Sequence, residues 1–292
     1  VNRFAASWLI ACLLLLSAGA NAQRENLVPA LGALDRGDFK QAIDTLRPLA
    51  TDGTIEAQYV LAAIYESAPA PWRNIGAALE WYQRAAEAGH PGAQNNLGAL
   101  YYDGRGVLRN PLEAVKWYRL AADQGFSIAQ TNLALLYGLG IGVPQDVNEM
   151  AKLLQSAAQA GEPRAQAQLG RMYLDGEGVR QDAAEAVKWF RNAAAQDNEG
   201  AQFLLAALLQ RGIGTARDLE GAVAWYRRAA NQGNRLAMLE LAKAYELGLG
   251  IPANPAQAKS WRELAQKKPD PDARKKDDAA SSQRADPRRS KP

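Results

Sequence analysis

From Ala57 onward, small, aliphatic and aromatic residues return along the chain at one fixed interval. Ala57, Ala93, Ala129, Ala165, Ala201 and Ala237 stand 36 residues apart. Four positions after each lies a leucine, from Leu61 to Leu241, followed by Ala or Gly. Eight positions after each alanine stand Tyr65, Tyr101, Tyr137, Tyr173, Leu209 and Tyr245. Steps of four and eight place these residues on one face of a helix, and the small residue beside each leucine leaves room for a neighbouring backbone. We call this helix A.

A second apolar stripe follows in every period. Ala78, Ala114, Ala186, Ala222 and Ala258 lie three residues before Trp81, Trp117, Trp189, Trp225 and Trp261, and an alanine lies four residues after each tryptophan. This is helix B. The third period has Leu153-Leu154 in place of a Trp-Tyr pair. A position filled by either Trp or Leu serves packing, so the tryptophans are expected in the core.

Between the stripes the punctuation also repeats. The pairs Gly104/Gly106, Gly140/Gly142, Gly176/Gly178, Gly212/Gly214 and Gly248/Gly250 fit a helix end that needs positive φ. Asn74, Asn110, Asp146, Asp182, Asp218 and Asn254 come next in register, where a side-chain oxygen can accept from the first amides of helix B. Pro111 and Pro255 suit the first helical position, and Glu113, Glu149 and Glu185 have capping-box spacing.

Residues Ala93 to Gly125 carry A-x-x-x-L-G-x-x-Y-x-x-G-x-G-V followed by A-x-x-W-Y-x-x-A-A-x-x-G, with Asn110 as the cap. This pattern resembles the SEL-one-like repeat, a relative of the tetratricopeptide repeat. Six units over residues 57–268 share the resemblance, and 23–56 looks like an initial tetratricopeptide-like unit. The resemblance implies an all-α, right-handed α-solenoid with a 36-residue period, acting as an adaptor for proteins or peptides, and exported bacterial members are known. It also implies that helix A lines a concave surface. On the face opposite the packing stripe stand Tyr59, Asn95, Tyr102, Arg171, Phe203 and Lys243, the candidate partner-binding residues. The cysteine-rich branch linked to penicillin binding has no counterpart here, because the chain has no S-x-x-K and its single cysteine is Cys12.

The ends change the picture of the charge. The first 22 residues carry Arg3, an apolar run to Leu16 and the small-residue stretch Ala20-Asn21-Ala22, which reads as a signal peptide cut before Gln23. The run is shorter than a membrane span, so no stable span is expected in the mature chain. Leu9-Ile10-Ala11-Cys12 resembles a lipoprotein box, but cleavage there would leave LLLL behind the cysteine, so anchoring at Cys12 is not expected. Periplasmic or secreted localisation follows as the expectation.

The tail from Lys267 holds nine basic and five acidic residues without periodicity, and 269–292 is expected to be disordered. Setting the tail and Arg3 aside leaves 24 basic and 26 acidic residues in the body, so the overall charge of +3 belongs to the ends. No nucleic-acid footprint is present.

One histidine, His90, and no cysteine past residue 12 leave neither a usual zinc set nor a nucleophile–His arrangement. No metal, cofactor or catalytic residue is therefore expected, and the chain is read as a non-enzyme. His90 itself reads as a solvent-facing turn residue or, alternatively, as a pH-sensitive contact. The loop SAPAPWRN, residues 67–74, lacks the double glycine and adds Trp72, either a partner-facing aromatic or a plug on the first repeat. The functional reading is a periplasmic or secreted adaptor that binds a partner in its groove. The alternative is a structural part of a polysaccharide-export or cell-wall assembly.

Overall fold

The computed structural model describes residues 21–267. Among them stand fourteen helices and no strand. An initial pair, α1 (Asn21–Asp35) and α2 (Phe39–Thr51), precedes six A/B pairs. These are α3 (Ile55–Ser67) and α4 (Ile75–Glu87), α5 (Pro91–Asp103) and α6 (Pro111–Asp123), and α7 (Ser127–Leu139) and α8 (Val147–Gln159). The last three are α9 (Pro163–Asp175) and α10 (Ala183–Ala195), α11 (Glu199–Arg211) and α12 (Leu219–Asn231), and α13 (Arg235–Leu247) and α14 (Pro255–Gln266). The expected signal peptide at 1–22, apart from its last two residues, Cys12 and the tail at 269–292 lie outside the described residues.

Two compact units divide the chain, one running to Phe126 and the other starting at Ser127. Inside each, a helix packs chiefly on the helices before and after it. That is helix-turn-helix stacking, the arrangement of an α-solenoid.

The helices from α2 to α13 all have 13 residues, and the punctuation explains why. Helix A stops where Gly104, Gly176, Gly212 or Gly248 turns left-handed and donates its N–H to the carbonyl four residues back. Helix B starts where Asn74, Asn110, Asp146, Asp182, Asp218 or Asn254 accepts from the second or third amide. The reciprocal half of the capping box does not form. The cap's own N–H is already donated across the loop to the Tyr65, Tyr101, Tyr137, Tyr173, Leu209 or Tyr245 carbonyl, at 2.7–3.0 Å. Glu113, Glu149 and Glu185 turn instead to Lys116, Lys152 and Lys188. The loop 67–74 closes in the same way without its glycines, through Asn74 N–H to Tyr65 O at 2.8 Å.

The second glycine of four loops, Gly106, Gly178, Gly214 and Gly250, is a stacking contact as well as a turn. A Cβ on Gly214 would lie 2.1 Å from the Ala183 carbonyl oxygen, and one on Gly250 2.3 Å from that of Leu219. The loops of Gly106, Gly178, Gly214 and Gly250 thus seat on the first turn of the previous helix B, at Ile75, Val147, Ala183 and Leu219.

In the core, the aromatic pair divides differently from the expectation. Tyr82, Tyr118, Phe190, Tyr226 and, in the third period, Leu154 are buried. The preceding Trp81, Trp117, Trp189, Trp225 and Leu153 are only half-buried. The stripe is centred on Ala78, Tyr82, Ala85 and Ala86, one residue later than the tryptophan, so successive side chains about 100° apart put the indole on its flank. Arg84 and Arg228 lie 4.7 Å over the rings of Trp81 and Trp225, which is where half-exposed indoles meet cations. Trp72 packs against the first core formed by α1 to α3, the plug arrangement.

Buried polar groups form a pattern that glutamine's polarity hides in the sequence. Gln58, Gln94, Gln166 and Gln202, one residue after the repeat alanine, are buried. Each donates its Nε2 to the carbonyl eight residues earlier, at the end of the previous helix B, at 3.0–3.1 Å. The Oε1 atoms of Gln94, Gln166 and Gln202 in turn accept from Gln124, Gln196 and Gln232, thirty residues on, at 2.8–2.9 Å. The amide thus joins three helix ends and satisfies groups that burial would otherwise leave costly.

Candidate functional site

With the repeat alanine as position zero, the helix-A positions of interest are −1, +2, +3 and +6. In the C-terminal unit these positions on α9, α11 and α13 line an open groove of about 400 Å³. Its walls include Arg164, Gln168, Arg171, Phe203, Leu204 and Leu236. Asn198 and Asn234 lie at its edge, but their side chains are spent capping α11 and α13. Phe203 is half-buried with its ring 5.8 Å from that of Tyr226, so the groove floor is held by the core below. Arg171 is exposed, and Leu236 is 59% exposed.

Of the residues singled out in the sequence, Arg171 and Phe203 are brought together here. Arg164, Gln168, Leu204 and Leu236 were missed. Their positions, −1 and +3, join the groove only through the way neighbouring helices A stand side by side, which the periodicity of one helix does not show. Lys243 is exposed on α13 but does not line the groove.

The N-terminal unit treats the same register differently. Tyr59 is half-buried and stacks on His90 with centroids 4.3 Å apart. Asn95 is 8% exposed and donates to Asn96, so it lies inside the surface it was expected to form. Tyr102 is half-buried beneath the Arg109 guanidinium, at 5.6 Å.

His90 is not the solvent-facing turn residue expected. Its Nδ1 accepts from the Ala93 amide at 3.1 Å and caps α5. Burial lowers its pKa, against the pull of Glu56, so the neutral ring that can accept this bond is favoured.

Beside it runs a polar chain. Asn96 donates to the Tyr82 hydroxyl at 3.0 Å, and that hydroxyl donates to Glu66 at 2.8 Å. Arg105 holds the other Glu66 oxygen at 2.7 Å. Burial pushes the Tyr82 phenol far above its ordinary range, keeping it a neutral donor. Both Glu66 oxygens are engaged, so the chain ties α3, α4 and the loop after α5 together rather than presenting a free base.

A Sel1-repeat model matches residues 55–90, 91–126, 127–162, 163–198, 200–234 and 235–265. The chain belongs to the Sel1-repeat family. A Sel1-repeat protein from Oxalobacter formigenes, known from its crystal structure, is 33% identical, with a TM-score of 0.73 over 84% of this chain and 98% of that one. The protective antigen c5321 of uropathogenic Escherichia coli, which has an SLR fold, is 32% identical with a TM-score of 0.73. That alignment covers 91% of this chain and 56% of the antigen, so the chain spans little more than half of it. No curated protein matches. Sel1-repeat proteins generally mediate protein–protein interaction, and their solenoids are typically non-catalytic scaffolds. Among the described residues no helix is long and apolar enough to cross a membrane.

Proposed function

We propose that this protein is a non-enzymatic adaptor that holds a protein or peptide partner along the helix-A face. It does so in the periplasm or outside the cell, after cleavage near Ala22. The observation that supports this reading is the groove of the C-terminal unit. There the packing positions repeat, Ala165/Leu169 and Ala201/Leu205, while −1, +2 and +3 change from Arg164, Ala167 and Gln168 to Gly200, Phe203 and Leu204. A face that varies over a constant scaffold can be specified for a partner without disturbing the fold.

Site-specific photo-crosslinking in intact cells tests it, with the crosslinker at Arg171 and at Tyr102 and, as control, at the exposed Arg191 of α10. A discrete protein adduct from the helix-A positions alone is expected. Equal labelling from Arg191, or adducts with polysaccharide, would turn the reading toward an envelope scaffold. Mass analysis of the mature chain from the periplasmic fraction should give Gln23 as its first residue.

A further inference from the structure

We infer that the groove of the C-terminal unit selects an acidic peptide segment in which carboxylates flank an apolar side chain. This rests on the adaptor reading above and adds the chemistry of the partner. The first support is charge. Arg164 and Arg171 line the groove and no Asp or Glu does. Neither arginine has an ion-pair partner among the described residues, and the one hydrogen bond of Arg164 reaches the Asn132 Oδ1 at 3.5 Å, the outer limit of such a bond. Arg105, by contrast, takes both Glu66 and Asp103. Two guanidinium forks facing an open groove are matched by carboxylates.

Spacing is the second support. Seven residues on one helix separate the two arginines by about 10 Å along its axis. An extended peptide covers that distance in about three residues, so its acidic positions should stand two to four apart.

The third is the apolar wall. Phe203, Leu204 and the 59% exposed Leu236 lie opposite the arginines. A polyanion such as a nucleic acid or an acidic glycan would leave that wall unused, whereas a Leu or Phe between two carboxylates would cover it. The chain's own tail does not fit, since nine of its charged residues are basic and five acidic.

The test is selection of a random short-peptide phage library on the intact mature chain. It is followed by binding of the best synthetic peptide to wild type, Arg164→Glu/Arg171→Glu and Leu236→Ser. These positions lie on the surface, and circular dichroism checks that both variants fold. We expect enriched peptides richer in Asp and Glu than the unselected library, with an apolar residue between them. Affinity should fall at least about tenfold in each variant and weaken with salt. Neutral or basic peptides whose binding is lost in Leu236→Ser would overturn the acidic partner and leave the groove as the docking site. Peptides that bind all three proteins equally, or no enrichment at all, would remove both the inference and the groove. Heparin retention abolished by the charge reversal, without peptide enrichment, would replace the peptide by a polyanion.

Discussion

At Gln58 the buried amide relay is one bond short. Its Nε2 reaches the Ala50 carbonyl, but its Oε1 is buried and has no partner. The residue thirty positions on, where Gln124, Gln196 and Gln232 stand in other repeats, is Ala88. Ala88 ends its helix with φ −75° and ψ 1°, close to the −83° and 4° of Gln124, so a glutamine would enter without backbone change. Ala88→Gln should therefore stabilise the protein by about 1 kcal/mol, the net worth of one hydrogen bond to a buried acceptor, as measured by urea unfolding.

His90 sets a second expectation at this scale. Its folded pKa lies below the ordinary 6.5, so the unfolded chain binds the proton more readily. The cap's contribution is complete above about pH 6.5 and is lost as pH falls through the lower folded value. His90→Asn, the residue at this register in Asn198 and Asn234, should keep the cap and flatten that loss in unfolding midpoints measured across acid pH.

Single elements were the most legible part of the sequence. Caps and apolar stripes recur six times and glycine stops five, so chance at one position is outvoted by the register of the others. What stayed hidden has physical reasons. Trp81 and Tyr82 are adjacent and both aromatic, and a periodicity blurred over neighbouring residues does not say which one faces inward. Gln94 and its equivalents read as surface because glutamine is usually solvated, and only the carbonyls around it reveal the interior role. For the groove, +2 and +6 were legible from the resemblance, but −1 and +3 needed the neighbouring helices.

The loops give a prediction of their own. Gly214→Ala combines φ +69° with a Cβ 2.1 Å from the Ala183 oxygen and should cost about 2–4 kcal/mol. Gly89→Ala, at φ +93° with open space around it, should cost only the conformational share, about 1–2 kcal/mol. Parallel denaturation of the two variants separates stacking from turning.

At the scale of the whole chain, stability within each unit is a sum over neighbours, since inside a unit each helix leans chiefly on the next. Removing residues 199–234, one full period, rejoins Asn198 to Arg235 with every cap still in register. That deletion should leave a cooperatively folded helical protein, whereas removing 199–228 should not. Circular dichroism and thermal unfolding of the two deletions decide it. The bond from each cap N–H back to the carbonyl before the loop has a further use. It fixes where the chain leaves one helix and enters the next, with the double glycine in five repeats and with SAPAPWRN in the first. What the intervening residues spell is therefore separate from where they lead. The exposed Pro69 and Ala70 of the 67–74 segment, between the buried Ala68 and the packed Trp72, are the natural slot for an inserted tag or reporter that travels with the protein without altering its architecture.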